Sequence, residues 1–518
     1  MGSSMDSDEL VFNGLDGSSG AYLAGKLSLA GLRERAFQLQ KNKVNFWGTD
    51  DHLDGLKIRS DQGEPAFDLR RDSDPRDLSD AGWGLVFPEL AASKQVEQIQ
   101  AALTDLISLR RQQAGNRFKI FYGGGNGYLP GETGEQFASR HGIQPGSVDP
   151  RVMPYYLLIV ADPSSIPFSF QYQLDVQFAV GRIYFDRLEE YAQYARSVWT
   201  TEQDPTQIRL KRQVVFFSVE NQDDPSTRLS ARRLIAPLYA YASSAGEKPR
   251  AKLGWQAGIV PSGQATKASL LEHLGGPQTP ALFFTASHGL GWPCGDPRQV
   301  SFQGALVCAD WPGPIEWRCE LRRDFYLGAE DIDSGARLLG SMAFFFACYG
   351  AGTPLWEDYA MARNQERKTL AARPFLAALP LRLLSHPRGG LLAVVGHVER
   401  AWGYSFDWRG QDAEPQSFKD FLYELMRGMP VGYAMESLNT RYGQIAALLS
   451  AELDELKHNR NRDAYAISRL WMANNDSRSY AILGDPAARL PLAARDSEES
   501  ARPSLTVPVY PVGDLPTV

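Results

Sequence analysis

Short apolar runs alternate with stretches of helical periodicity through the middle of the chain. After residue 95, apolar side chains recur at helical spacing at Val96, Ile99, Leu103, Leu106 and Ile107. The apolar run at residues 118–122 then predicts a strand that ends in a glycine-rich turn. Further strands are predicted at 155–160 and 178–183, followed by a helix at about 186–200. This half of the pattern indicates one strand–helix unit.

The same alternation begins again after a polar, proline-containing stretch at 201–211. The predicted strands are 213–219, 258–260, 281–286, 342–347 and 391–395, and the predicted helices are 226–241, 265–274, about 371–385, about 417–427 and about 431–449. Strands that alternate with helices imply right-handed crossovers and mainly parallel sheets covered on both faces. The pattern therefore predicts an α/β fold with two units in tandem.

Four parts of the chain follow from this pattern. Residues 1–90, rich in Gly, Asp and Ser, are predicted to form an irregular lead-in. Residues 91–205 form the first α/β unit, and residues 206–490 form the second, with a loop-rich insertion at 291–340. Residues 491–518 contain several prolines, which predicts an extended and poorly ordered tail.

Composition excludes several classes of protein. With 43% apolar and 22% charged side chains, the 518 residues can bury a large core, and four cysteines are too few for a disulfide scaffold. A net charge of −7 without any long Lys/Arg run argues against nucleic acid or a membrane surface as a partner.

Targeting signals are also not evident in the sequence. The longest apolar runs, at 342–348 and 391–395, are far shorter than the roughly 20 residues that cross a bilayer. The first thirty residues are acidic and lack the basic start and apolar stretch of a secretory signal. We therefore expect a cytoplasmic protein with reduced thiols.

Reactive residues follow two of the apolar strands. The run at 281–287 ends in His288-Gly289, and the run at 341–347 ends in Cys348. In parallel sheets, functional groups collect beyond the carboxyl ends of strands. A cysteine and a histidine there would form a nucleophile and its base, with the N–H groups of Gly289 and Cys348 as oxyanion donors. The alternative is a buried structural cysteine and a structural histidine.

Metal and cofactor sites are not expected. Three cysteines lie in the insertion with spacing C-x13-C-x10-C, which lacks the close pairs of zinc sites. The glycine-rich turn at 123–127 follows a strand but lacks the GK[S/T] of a phosphate loop. We predict no metal and no cofactor.

The order of two apolar strands, the first ending in Ser287-His288-Gly289 and the second in Ala347-Cys348, matches a pattern found in a known family of proteins. Weaker features follow in the same order at 156–167, 180–183, 393–402 and 482–486. Together they make residues 150–490 resemble the caspase-like cysteine peptidases, and among these the gingipain-type members. The resemblance implies a three-layer α/β/α sandwich of two subdomains. It also implies that Cys348 is the nucleophile, His288 the catalytic histidine and Gly289 an oxyanion donor.

The resemblance also suggests a supporting acid and a specificity pocket. Glu220 matches a glutamate thought to support the histidine, although a solvated loop acid is an equal alternative. The pocket for the P1 residue would be lined by the loop after Glu220 and by the segment with Trp402. Arg228 would favour an acidic P1 residue, whereas Asp223, Asp224 or Glu399 would favour Arg or Lys. The choice stays open, with Arg/Lys slightly favoured.

The expected function is therefore a cysteine endopeptidase that acts on proteins through an acyl-enzyme. Family analogy suggests regulated proteolysis, cell death or defence inside a bacterium, with an activating protease or a regulatory partner. The insertion at 291–340 would be a lid, an activation loop or a passive surface feature. Two rivals remain: a catalytically silent scaffold that binds a protein partner, and a small-molecule enzyme or nucleotide sensor.

Overall fold

A computed structural model describes residues 9–10, 12–23, 27–28, 69–70, 73–203, 208–243, 253–357, 368–406, 415–457, 464–495 and 497–507. Its strands, in chain order, are β1 (Glu9–Leu10), β2 (Gly14–Asp16), β3 (Leu27–Ser28), β4 (Trp83–Val86), β5 (Phe118–Phe121), β6 (Tyr156–Val160), β7 (Ala179–Ile183), β8 (Gln213–Ser218), β9 (Gln256–Val260), β10 (Leu282–Ala286), β11 (Gly289–Gly291), β12 (Leu306–Val307), β13 (Tyr326–Leu327), β14 (Met342–Phe346), β15 (Gly352–Thr353), β16 (Phe375–Leu376), β17 (Ala393–His397) and β18 (Tyr480–Gly484).

Helices cover the described chain between these strands. The α-helices are Leu78–Ala81, Ser93–Ala102, Thr104–Ala114, Gly134–Arg140, Phe168–Leu174, Leu188–Gln203, Pro225–Ser230, Ala236–Ser243, Lys267–His273, Gln299–Phe302, Ala378–Leu384, Gln416–Met426, Val431–Ala434, Glu436–Lys457 and Ala464–Arg478. A π-helical turn, Ala231–Ile235, joins two of them into one continuous helix.

The main sheet of the described residues has ten strands in the order β5-β4-β6-β7-β18-β17-β14-β10-β8-β9. All neighbouring pairs are parallel except β17 and β18, which pair antiparallel. The sheet therefore consists of two five-stranded parallel halves that run in opposite directions. The carboxyl ends of β8, β10, β14 and β17 meet at one edge, and those of the other half lie at the opposite edge.

The central strands of this sheet carry mainly apolar residues on both faces. β6, β7, β10, β14 and β17 are buried along their whole length, as expected for parallel strands between two helical layers. Phe284 of β10 and Phe344 of β14 stack with ring centroids 4.4 Å apart, and Phe418 packs edge-on against both. This aromatic cluster fixes the two strands that lead into the candidate site.

The α/β class and the mainly parallel sheet predicted from the sequence are confirmed. One difference lies at the start of the chain, because β4 falls within residues 1–90 and yet pairs with both β5 and β6. A run of four residues is too short to show a hydrophobic period. The two predicted units also share a single sheet, since β18, from near the end of the second unit, pairs with β7.

The described part of the tail is extended but well anchored. Residues 497–507 form no helix or strand, in line with the predicted extended tail. The side chain of Arg502 is buried, however, and donates to the carbonyl oxygens of Arg337 and Thr279. Residues 508–518 lie outside the described residues. Among the helices that the structure describes, none combines the length and the apolar character needed to span a bilayer.

A buried ion network joins the residue after β18 to β4 and to two of the helices that cover this half of the sheet. The Asp485 carboxylate accepts from Trp83 Nε1 at 2.9 Å and from Arg110 Nε at 2.7 Å. The same guanidinium pairs with Glu202 at 2.6 Å. Burial would lower the pKa of Arg110, but the two carboxylates outweigh this effect and raise it. Such a network is stable only while every partner is present.

We predict that Asp485→Ala lowers the free energy of unfolding by about 3–5 kcal/mol, because it leaves the buried Arg110 with only one counter-ion. The matched control is Asp105→Ala, which removes a half-exposed partner of Arg196 at 2.9 Å and should cost less than about 1 kcal/mol. Denaturant unfolding measures both. Equal losses in the two variants would contradict the role given to Asp485.

Candidate active site

The parallel register of β10 and β14 brings His288 and Cys348 together. Ala286 pairs with Phe346, and each candidate residue lies two positions beyond its paired residue. Both side chains are fully buried. Gly289 and Cys348 also pack backbone to backbone, since a Cβ on Gly289 would lie 1.8 Å from the Cys348 carbonyl oxygen. Any side chain at position 289 would clash with this carbonyl, so only glycine fits directly after His288.

Asp224 holds the imidazole of His288. His288 Nε2 lies 2.6 Å from Asp224 Oδ2, and both side chains are buried. The other ring nitrogen, Nδ1, is buried and has no hydrogen-bond partner in the described part of the chain. The carboxylate thus fixes the orientation of the ring and leaves Nδ1 for proton transfer.

Asp224 is itself held by three further donors. Oδ1 accepts from the Tyr22 hydroxyl at 2.7 Å and from Ser226 N at 3.1 Å, and Oδ2 accepts from Thr227 Oγ1 at 2.7 Å. Asp224 is the N-cap of the helix Pro225–Ser230, which explains its fixed position in the loop that follows β8. Burial alone would raise the pKa of Asp224, but His288 and these hydrogen bonds outweigh it, so the pKa is lowered.

The backbone of Ala401 and of Gly14 lies close to the Cys348 sulfur. Its Sγ accepts from Ala401 N at 3.3 Å, and a Cβ on Gly14 would lie 2.6 Å from it. Burial raises the pKa of the thiol well above its ordinary value, despite the nearby Ala401 N–H and the Arg400 guanidinium. The thiol form is therefore favoured while residues 12–23, here called the covering segment, lie over the site.

The covering segment places one carbonyl oxygen between two backbone donors of the site. Gly289 N and Cys348 N both donate to the Asn13 carbonyl oxygen, each at 3.0 Å. Asn13 N in turn donates to the Ala401 carbonyl at 3.0 Å, and Phe12 forms an antiparallel bridge with Trp402. An extended peptide bound by its backbone, with one carbonyl held by two N–H groups beside a thiol, has the geometry of a bound acyl-transfer substrate.

Side chains of the covering segment also fill pockets. The Asn13 amide is buried and donates to Ser230 Oγ at 3.1 Å and to the Ser287 carbonyl at 3.2 Å. The Phe12 ring packs against Trp402 with centroids 4.7 Å apart. Trp402, predicted to line the P1 pocket, thus contacts the residue before Asn13.

Glu220 and Arg228 lie together, away from the histidine. Glu220 is paired with Arg232 at 2.9 Å and with Arg228 at 3.6 Å, at the partly exposed start of the helix. The carboxylate that contacts His288 is that of Asp224, four positions further on, because the chain must turn after β8 before an acidic side chain can reach back to the ring. Asp223 makes that turn with φ +55° and is exposed.

Glu399 is buried beside Cys348 but faces a cation of its own. Its carboxylate pairs with Arg400 at 3.0 Å, and Arg400 also binds Glu357. Its carbonyl accepts from Tyr349 N at 2.6 Å. Glu399 and Tyr349 both have positive φ, +70° and +58°, so this pair of tight turns shapes the wall that carries Ala401.

Sequence reasoning missed the covering segment altogether. Asn13, Phe12 and Tyr22 lie in a region without apolar period, and their contacts are with residues more than 200 positions away. Nothing local signals them. For Asp224 a signal was available, since Asp-Pro-Ser-Thr shortly after a strand is a helix start that fixes the aspartate near the carboxyl end of that strand.

No protein-family description matches the chain, and no curated protein matches it. Among solved structures, one described as "Structure of Protease" aligns over 80% of this chain and 80% of its own, with 12% identity and a TM-score of 0.44.

The lowered pKa of Asp224 predicts a pH-dependent contribution to stability. Asp224→Asn, made in a Cys348→Ala chain, should lower the free energy of unfolding by about 2 kcal/mol at pH 7, because charged hydrogen bonds are lost. A carboxylate with a depressed folded pKa stabilises above its unfolded value, about 3.9, and this contribution is lost as pH falls further. Unfolding at pH 7 and pH 3 should show the difference shrinking; a constant difference would contradict the assignment.

Proposed function

We propose that the protein is a cysteine endopeptidase with Cys348 as nucleophile, His288 as acid and base, and Asp224 as the residue that orients the histidine. One observation carries the proposal. Two backbone N–H groups, those of Gly289 and Cys348, converge at 3.0 Å on a single peptide carbonyl beside the Cys348 thiol. Oxyanion stabilisation of this kind is usually the largest electrostatic contribution to acyl transfer.

In this mechanism Cys348 gives up its proton to His288 Nδ1 as its sulfur attacks the substrate carbonyl. The developing oxyanion lies between the N–H groups of Gly289 and Cys348. Collapse of the intermediate forms a thioester, and His288 passes the proton to the leaving amine. Water then hydrolyses the thioester. Asp224 stabilises the imidazolium that forms in both steps.

The geometry favours an enzyme over a silent scaffold. A scaffold needs neither a buried carboxylate on the histidine nor a pair of converging N–H donors next to the thiol. Here three donors besides His288 hold Asp224 in place, and leaving so many polar groups in a buried site is costly without a function.

The charged P1 pocket expected from the sequence receives no support from these contacts. Arg228 pairs with Glu220, Asp224 pairs with His288, and Glu399 pairs with Arg400. A role in regulated bacterial proteolysis, cell death or defence stays a prediction. Burial of Cys348 beneath the covering segment is in keeping with a peptidase whose activity is controlled.

Cleavage of a peptide library, read by mass spectrometry, tests the proposal. We expect cleavage by the native chain or by Gly14→Val, because the added Cβ would lie 2.6 Å from both Cys348 Sγ and Leu23 Cδ1 and should push the covering segment away from the site. Cys348→Ala should reduce cleavage to the rate without enzyme. Cys308→Ala, which changes another buried cysteine, should leave it intact. Cleavage that persists in Cys348→Ala, or that is absent from both the native and the Gly14→Val chains, would refute the proposal.

A second test separates the two candidate acids. Asp224→Asn should lower kcat by about 10²–10⁴-fold, because the histidine loses its orientation and its counter-charge. Glu220→Gln, a matched change four positions away, should alter kcat by less than about twofold, since Glu220 pairs with surface arginines. Steady-state kinetics on a cleaved library peptide measures both. The reverse order of effects would restore Glu220 as the supporting acid.

A further inference from the structure

The covering segment makes the backbone contacts expected of a bound substrate. Asn13 is held at both ends of its backbone, by Ala401 through its N–H and by Gly289 and Cys348 through its carbonyl. Beyond the carbonyl, β2 pairs in register with β11, so that Gly14, Leu15 and Asp16 lie opposite Gly289, Leu290 and Gly291. The Asn13–Gly14 peptide bond therefore spans the position of attack.

The pocket around the Asn13 side chain has a definite chemistry. The amide nitrogen faces the Ser287 carbonyl oxygen, which can only accept, and Ser230 Oγ, whose proton is directed to the Thr227 carbonyl at 3.1 Å. Both acceptors are neutral, and all three residues are buried. A carboxylate has no N–H for these acceptors, and neither acceptor carries the negative charge that would pair with a lysine or an arginine.

Contacts after the candidate bond hold the segment from the other side. The buried Leu15 packs in an apolar cluster with Leu290, Trp292 and Trp311. Gly17 N donates to the Gly291 carbonyl at 2.8 Å, and its own carbonyl accepts from Leu321 N at 2.8 Å. Trp292, Trp311 and Leu321 belong to the insertion at 291–340, so this insertion supplies much of the surface that holds the segment.

From these contacts we infer that the pocket formed by Ser230 and the Ser287 carbonyl selects asparagine at P1, and that the protein cleaves its own chain between Asn13 and Gly14. The inference rests on the proposed peptidase function. Until that bond is cut, the covering segment excludes other substrates from Cys348.

The reaction needs only water. Cys348 Sγ bonds to the Asn13 carbonyl carbon, and the bond from that carbon to Gly14 N breaks. Gly14 leaves as an amine with the proton delivered by His288. Water then attacks the thioester, which gives a carboxylic acid at Asn13 and restores the thiol. The products are the part of the chain that ends at Asn13 and the part that begins at Gly14.

Incubation of the purified chain, followed by intact mass and N-terminal sequencing, tests self-cleavage. We expect a new N-terminus at Gly14, formed at a rate independent of protein concentration because the bond is already seated. Cys348→Ala should stay intact under the same conditions. This control excludes spontaneous breakage at an Asn-Gly sequence; cleavage of both chains would overturn the inference.

Variants of the pocket test the selection of asparagine. Asn13→Asp keeps the shape but removes both donors and adds a charge, and should slow self-cleavage at least about 100-fold. Ser230→Ala removes one acceptor and should slow it about tenfold. Asn13→Arg should not be cut. Equal or faster cleavage of Asn13→Asp or Asn13→Arg would overturn the pocket assignment.

Peptides distinguish failure of this inference from failure of the proposed function. The Gly14→Val chain is offered peptides of sequence Phe-Xaa-Gly-Leu within a common frame, with Asn, Asp, Arg or Lys as Xaa. Preference for Asn supports the inference. Cleavage after Arg, Lys or Asp that depends on Cys348, together with an intact native Asn13–Gly14 bond, overturns it and leaves the peptidase standing. No cleavage of any peptide or of the native chain overturns both.

Discussion

The site depends on one constraint, the parallel register between β10 and β14. Because Ala286 is paired with Phe346, the next residues of both strands leave the sheet at the same level. The N–H groups of Gly289 and Cys348 then point at one position, where each donates at 3.0 Å to the same carbonyl oxygen. A shift of one residue in either strand would separate the two donors and turn one of the reactive side chains to the other face.

Other parts of the fold serve this arrangement. The stacked rings of Phe284 and Phe344 hold the two strands together beneath the site. β8, the next strand along, ends where Asp224 can cap a helix and reach back to His288 Nε2. On the opposite side, the turn through Glu399 carries Ala401, whose N–H contacts the Cys348 sulfur and whose carbonyl binds the covering segment. These elements thus all converge on one centre.

The covering segment changes the electrostatics of that centre. It excludes water from Cys348, and burial raises the pKa of the thiol while Tyr22 adds a hydrogen bond to Asp224. A buried thiol with a raised pKa is a poor nucleophile toward solvent reagents, yet it lies beside a peptide carbonyl already held by two donors. Proximity and a fixed orientation can offset the unfavourable pKa for this one bond, which explains how the same segment can both block the site and present a bond to it.

The sequence by itself determined the fold class and the two residues at the strand ends, because apolar runs and the His-Gly and Ala-Cys steps are local signals. It did not reveal β4, because four residues are too few to show a period. It also did not reveal the partner of His288, since the predicted acid, Glu220, lies four residues before the observed one, Asp224. Only the tertiary structure decided these points and the place of Asn13. The physical reason is that the site is held by contacts between residues more than 200 positions apart, which no local pattern of side chains encodes. These contacts join Asn13 to Ser230 and Ser287, and Tyr22 to Asp224.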